Sequence, residues 1–122
     1  MKKVSKVLVV FIMFSTLAFT AGKPSIVGKW TVYSHGDSLT ATFNADGTYT
    51  ANSPTGEEAA SGKYMETDDT FAINDENCGS TWGKYKITYY GEDSLDLKVI
   101  TDSCADRMEA VNGITAKRIK DQ

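Results

Sequence analysis

From residue 27 onward, hydrophobic and polar side chains alternate with a period of two, in short runs broken by turn residues. That pattern belongs to strands with one buried face, in an antiparallel sandwich or barrel, rather than to amphipathic helices. Eight strands are expected, over 27–34, 38–43, 48–52, 59–65, 70–73, 82–90, 94–101 and 114–119. The clearest is 94–101, where Leu95, Leu97 and Val99 alternate with Asp96 and Lys98. Phe71 and Ile73 share a face, and Tyr85, Ile87 and Tyr89 oppose Lys84, Lys86 and Thr88.

Turn chemistry separates these runs. His35-Gly36-Asp37, Asn44-Ala45-Asp46-Gly47, Thr67-Asp68-Asp69 and Gly91-Glu92-Asp93 are hairpin connections. Gly47 suits the left-handed position of a type I turn with a bulge. Gly62, inside a strand, is read as a bulge or a bend. Residues 53–58 form a loop; 102–113 lose the period of two, and 105–110 have room for one helical turn. Eight sequential strands with short connections predict an all-β, up-and-down antiparallel barrel, closed so that no edge strand is left to aggregate. A seven-stranded sandwich is the competing architecture.

The expected interior mixes bulky Trp30, Phe43, Phe71, Tyr85, Ile87, Leu95 and Leu97 with small Ala41, Ala60, Gly62 and Ala116. A barrel of this size either fills with side chains or holds one small ligand. A filled core or a small pocket is expected here. Tyr64, Tyr85 and Tyr89 combine apolar area with hydroxyl donors and are the ligand-binding candidates, together with Arg107. Arg107 has two readings: a mouth residue that grips an anionic group, or a structural partner of Asp102 or loop carbonyls beside Cys104.

The chain ahead of this region reads as an address. Lys2, Lys3 and Lys6, the uncharged run 7–14, and small residues around Ala18 and Ala21 have the layout of a secretory signal peptide over 1–21, with a single domain over 22–122. A membrane anchor would need roughly 20 predominantly apolar residues, and this run is shorter. Cleavage after Ala18 fits the small-x-small rule; cleavage after Ala21 puts Phe19 three positions back. The chain is therefore expected to be secreted or periplasmic.

Charge and cysteine content narrow the classes. The full chain carries 13 Lys and Arg against 16 Asp and Glu; loss of the three leader lysines takes the net charge from −3 to near −6. An acidic chain with no basic cluster argues against nucleic acid and anionic membrane surfaces as partners. Two cysteines, Cys78 and Cys104, survive in an exported chain, where oxidation favours pairing. They fall between strands five and six and between strands seven and eight, connections that emerge at the same end of a meander. A bridge between them closes a loop of about 25 residues and stabilises by roughly 3 kcal/mol in the chain-entropy model. An intermolecular bridge and free thiols are the alternatives.

Catalytic and metal constellations are not expected. The single His35 sits in a turn, no Gly-x-Ser-x-Gly elbow accompanies it, and one histidine cannot complete a tetrahedral cysteine and histidine metal set. Asp68-Asp69, Asp75-Glu76 and Glu92-Asp93 lack the spacing of a calcium loop and are read as solubilising turns. The expectation is a monomeric non-enzyme with no cofactor and no metal.

Gly28-x-Trp30 at the head of the first strand, the eight strands and Arg118 near the end of the last one resemble the lipocalin and calycin group. The chain is also similar to small secreted bacterial lipocalin-like proteins in Asp46-Gly47-Thr48-Tyr49, Gly62-Lys63-Tyr64, Cys78, Gly83-Lys84-Tyr85 and Asp102-Ser103-Cys104-Ala105-Asp106-Arg107. The resemblance implies that Trp30 marks the closed end of the barrel, under Arg118 as a cation-π partner. It implies a binding protein for a small hydrophobic or amphipathic molecule. The alternative is a barrel whose outer loops bind another protein, as exported inhibitors of proteases or lysozyme do.

Overall fold

The computed structural model describes residues 23–120; the signal peptide expected over 1–21 lies outside them. Eight strands form one closed antiparallel barrel in sequence order. They are β1 (Gly28–Ser34), β2 (Asp37–Phe43), β3 (Thr48–Asn52), β4 (Glu58–Thr67), β5 (Thr70–Asp75), β6 (Gly83–Tyr89), β7 (Ser94–Thr101) and β8 (Thr115–Arg118). The helix α1 (Ala105–Val111) stands between β7 and β8, and a 3₁₀ turn (Glu76–Cys78) follows β5. Closure comes from β1 pairing β8, with Trp30 opposite Arg118 and Val32 opposite Ala116. The sandwich alternative is thereby excluded.

Alternation places the core. Trp30, Phe71, Tyr85 and Leu95 are essentially inaccessible, and Ala41, Phe43, Ile87, Leu97 and Ala116 are buried with them. The intervening Lys84, Lys86 and Lys98 face solvent. One hydrophobic cluster results, with Phe43 edge-on to Tyr64 and Phe71 at ring-centroid distances of 5.1 and 5.7 Å.

Two expectations about local geometry are corrected. Gly62 lies at no bulge: the register runs unbroken through it, opposite Tyr49 on β3 and Asp75 on β5. A Cβ there would stand 2.1 Å from the Asn74 carbonyl oxygen, so close backbone approach, not a kink, explains the glycine. The register shifts fall instead at Ala51/Asn52 and Lys84/Tyr85. Asp75, read from the sequence as half of an exposed acidic pair, is the last residue of β5 and is buried. It sits in step with Phe71 and Ile73, so the inward face of β5 continues one position further than expected.

The two ends of the barrel are built differently. At one end the segment before β1 folds under the sheet: Ile26 is 1% exposed, and its N–H donates to Glu66 Oε1 at 3.0 Å. Trp30 Nε1 donates to the Ile26 carbonyl at 2.8 Å. The Arg118 guanidinium lies 4.3 Å from the Trp30 ring centroid and donates to the carbonyls of Ser25, Val27 and Glu92. This end is closed, as the Gly-x-Trp resemblance implies.

The opposite end carries α1. A disulfide joins Cys104, at the N-terminal boundary of α1, to Cys78 in the 3₁₀ turn, with the Cα atoms 5.8 Å apart. At the other end of the helix, Ser34 Oγ donates to the Ala110 carbonyl at 2.8 Å, and His35 Nε2 lies 2.7 Å from the Glu109 carbonyl. Both contacts occupy carbonyls that the last helical turn leaves without partners. The helix is thus fixed at both ends across the mouth of the barrel.

Candidate functional site

Between α1 and the aromatic layer lies a cavity of about 320 Å³. Its floor is Phe43 and Phe71, its walls include Val32, Leu39, Ile73 and Leu97, and its roof is the inner face of α1 with Arg107, Ala110 and Val111. The space arises from side-chain size. Ala41, Ala51 and Ala60 line this half, whereas Trp30, Ile87 and Leu95 fill the closed half. The volume stands at the lower end of the range for small-molecule pockets, in agreement with the small pocket expected from the sequence.

A polar cluster interrupts the apolar wall. Arg107 is 5% exposed, and its Nε and Nη2 donate to Asp102 Oδ2 and Oδ1, each at 2.8 Å. This bidentate pairing is the planar fork geometry that suits arginine to a carboxylate. Asp102 also accepts from the Tyr85 hydroxyl at 2.5 Å and from the Cys104 N–H at 2.9 Å. Four donors on one carboxylate, chiefly those of Arg107, hold its pKa down at about 2 despite burial. Tyr85 is pushed well above the usual phenol range, first by burial and then by the hydrogen bond to Asp102.

Asp75 completes the cluster. Its Oδ1 accepts from the Cys78 N–H at 3.1 Å and caps the 3₁₀ turn. Tyr49 lies across the ladder from it, with only Gly62 between, and burial followed by the Asp75 charge raises the Tyr49 hydroxyl strongly. The three guanidinium nitrogens of Arg107 are not equivalent: Nε and Nη2 are spent on Asp102, while Nη1 is buried and has no hydrogen-bond partner among the described residues.

The four ligand-binding candidates do not converge. Arg107 lies in the cavity wall, and the structural pairing with Asp102 read as its alternative role is present as well. Tyr85 stands behind that pair. The Tyr64 hydroxyl donates to the Asn44 carbonyl at 2.7 Å, and Tyr89 donates to Glu66. Both belong to the closed end, where Tyr89 is raised by burial and by the Glu66 hydrogen bond. The signature residues Gly28, Trp30 and Arg118 meet there, and Gly28 leaves room for the guanidinium: a Cβ on it would lie 2.9 Å from Arg118 Nη1.

Tyr49 and Asp75 are the site residues that sequence reasoning missed. The signal for Asp75 was the phase of Phe71 and Ile73 carried two residues on. For Tyr49 it was a place between two small neighbours in a strand too short for its face to be assigned.

Fold and site together define a closed eight-stranded antiparallel barrel with one roofed, mostly apolar cavity and a disulfide-anchored helix over it. This architecture is consistent with a lipocalin-like fold. No protein-family model matches the chain, and no curated protein matches it.

Proposed function

We propose that the chain is an exported lipocalin-like binding protein that carries a small hydrophobic or amphipathic molecule in the cavity beneath α1, without catalysis. The observation that carries this reading is the cavity itself, an apolar space of about 320 Å³ enclosed by a barrel whose other half is filled. Apolar wall left to water rather than to side-chain packing is a cost that an occupant removes. The Cys78–Cys104 bridge fits an oxidising compartment, in keeping with export.

Fluorescence titration with 1-aminonaphthalene, a two-ring apolar probe, tests the reading. Saturable binding at one site, weakened in Ala51→Leu, is the expected result. Ala51 lines the cavity, and a leucine there narrows it by three carbons. Absence of binding, or binding unaffected by the narrowed cavity, would overturn it and leave the protein-binding barrel as the better account. Native mass spectrometry of protein from its own host then identifies the occupant.

A further inference from the structure

The charge around Arg107 is the guide to what enters the cavity. An arginine in a ligand pocket ordinarily suggests an anionic head group, but here the guanidinium is already neutralised by Asp102 at 2.8 Å, with both side chains almost wholly buried. Beyond that pair, the ionisable side chains in the cavity wall are Asp75, Asp106 and the Tyr49 phenol, which is uncharged. Asp75 is buried and Asp106 is exposed, so the inner wall is short of positive charge by one carboxylate. An incoming carboxylate would lose its hydration and meet Asp75 with no free cation to offset it.

What remains open is directional. Arg107 Nη1 is a buried N–H donor with no partner among the described residues, in a side chain that lines the cavity. An unpaired buried donor raises the free energy of the empty protein, and one acceptor oxygen on an occupant relieves it. A protonated amine would offset the Asp75 charge but would bring no acceptor oxygen to Nη1.

From this geometry we infer that the cavity selects uncharged over anionic amphiphiles, with an acceptor oxygen on Arg107 Nη1 and an alkyl or aryl body over Phe43 and Phe71. Size limits the occupant. At roughly 30 Å³ for a water-sized unit, the cavity holds about ten non-hydrogen atoms, so the class is a short-chain primary amide, ketone, ester or alcohol. The inference rests on the carrier reading and specifies its ligand.

Calorimetric titration at pH 7 with octanamide and octanoate tests it, with toluene as a probe that lacks a head group. Octanamide should bind about tenfold or more tightly than octanoate. Asp75→Asn removes the opposing charge but keeps an oxygen to cap the 3₁₀ turn. It should narrow the gap between octanamide and octanoate by about tenfold.

Octanoate binding as well as octanamide to the native protein overturns the inference, a result that needs no variant to fold. An unchanged gap in a folded Asp75→Asn protein overturns it too. If toluene binds but the head groups are not distinguished, only the head-group assignment falls. If neither toluene nor any octyl probe binds, the carrier reading falls with it.

Discussion

Arg118 caps Trp30: its guanidinium lies 4.3 Å from the indole centroid, while its nitrogens donate to three main-chain carbonyls on two separate segments. One side chain from the last strand therefore ties down the segment before the first strand and the β6–β7 turn. Barrel closure, whose partners are farthest apart in sequence, depends on it.

Arg118→Ala removes the cation-π contact and leaves those carbonyls without their donors. A loss of about 2 kcal/mol is expected, which for a domain of this size lowers Tm by roughly 10 °C. Thermal unfolding followed by circular dichroism measures it. Arg118→Lys should recover part of the loss, since an ammonium keeps the charge but not the planar fork. Probe binding in the cavity at the other end should be unaffected while the variant is folded.

Breaking the bridge should act on both stability and the roof. The sequence separation of 26 corresponds to about 3 kcal/mol of loop-closure entropy. Urea midpoints for the Cys78→Ser, Cys104→Ser double variant against the oxidised protein test the magnitude. Hydrogen exchange of the α1 amides should rise in the same variant by more than that of β6 and β7, because Cys104 anchors the helix start.

Asp102 makes stability depend on acid pH. Its folded pKa of about 2 lies below the ordinary aspartate value of 3.8, so the folded state binds the proton less readily than the unfolded chain. The stabilisation, about 2 kcal/mol, is complete above pH 4 and is lost as pH falls from about 4 to about 2. Urea unfolding across that interval should show the decline. Asp102→Asn should flatten the curve and lower stability at pH 7, where it leaves Arg107 charged, buried and unpaired.

Two glycines are held by close approach rather than by turn geometry. A Cβ at Gly83 would lie 2.3 Å from Asp102 Oδ2, and one at Gly62 would lie 2.1 Å from the Asn74 carbonyl oxygen. Gly62→Ala collides with backbone and should cost about 3 kcal/mol or prevent folding. Gly83→Ala collides with a carboxylate that has some freedom to shift. It should cost less, and it should raise the Asp102 pKa by loosening its grip on Arg107. Nuclear magnetic resonance titration of the carboxyl carbon reads that shift.

Much of this fold was legible in the chain because strand alternation is a local property. Leu95, Leu97 and Val99 announce an inward face wherever β7 is placed, and the turn residues between runs set how many strands there are. The disulfide was legible for a related reason: in an up-and-down meander, alternate connections share an end, so Cys78 and Cys104 had to emerge near one another. Even the contact between Trp30 and Arg118 follows from strand order once closure is assumed.

The site was not local in this sense. Tyr64, Tyr85 and Tyr89 look alike in sequence, but their hydroxyls are taken by Asn44, Asp102 and Glu66, partners 20, 17 and 23 residues away. Whether the interior is filled or hollow depends on which alanines face one another across the barrel: Ala41, Ala51 and Ala60 meet beneath the roof, while bulky residues meet at the closed end. Arg107 acquires its role because the disulfide and the Ser34 and His35 contacts hold α1 across the mouth. The chain alone determined strands, order and bridge, since each follows from short-range patterning and connectivity. Tertiary structure decided the cavity and the Arg107 donor left without a partner among the described residues, because volume and hydrogen-bond satisfaction are settled only when distant residues occupy the same space.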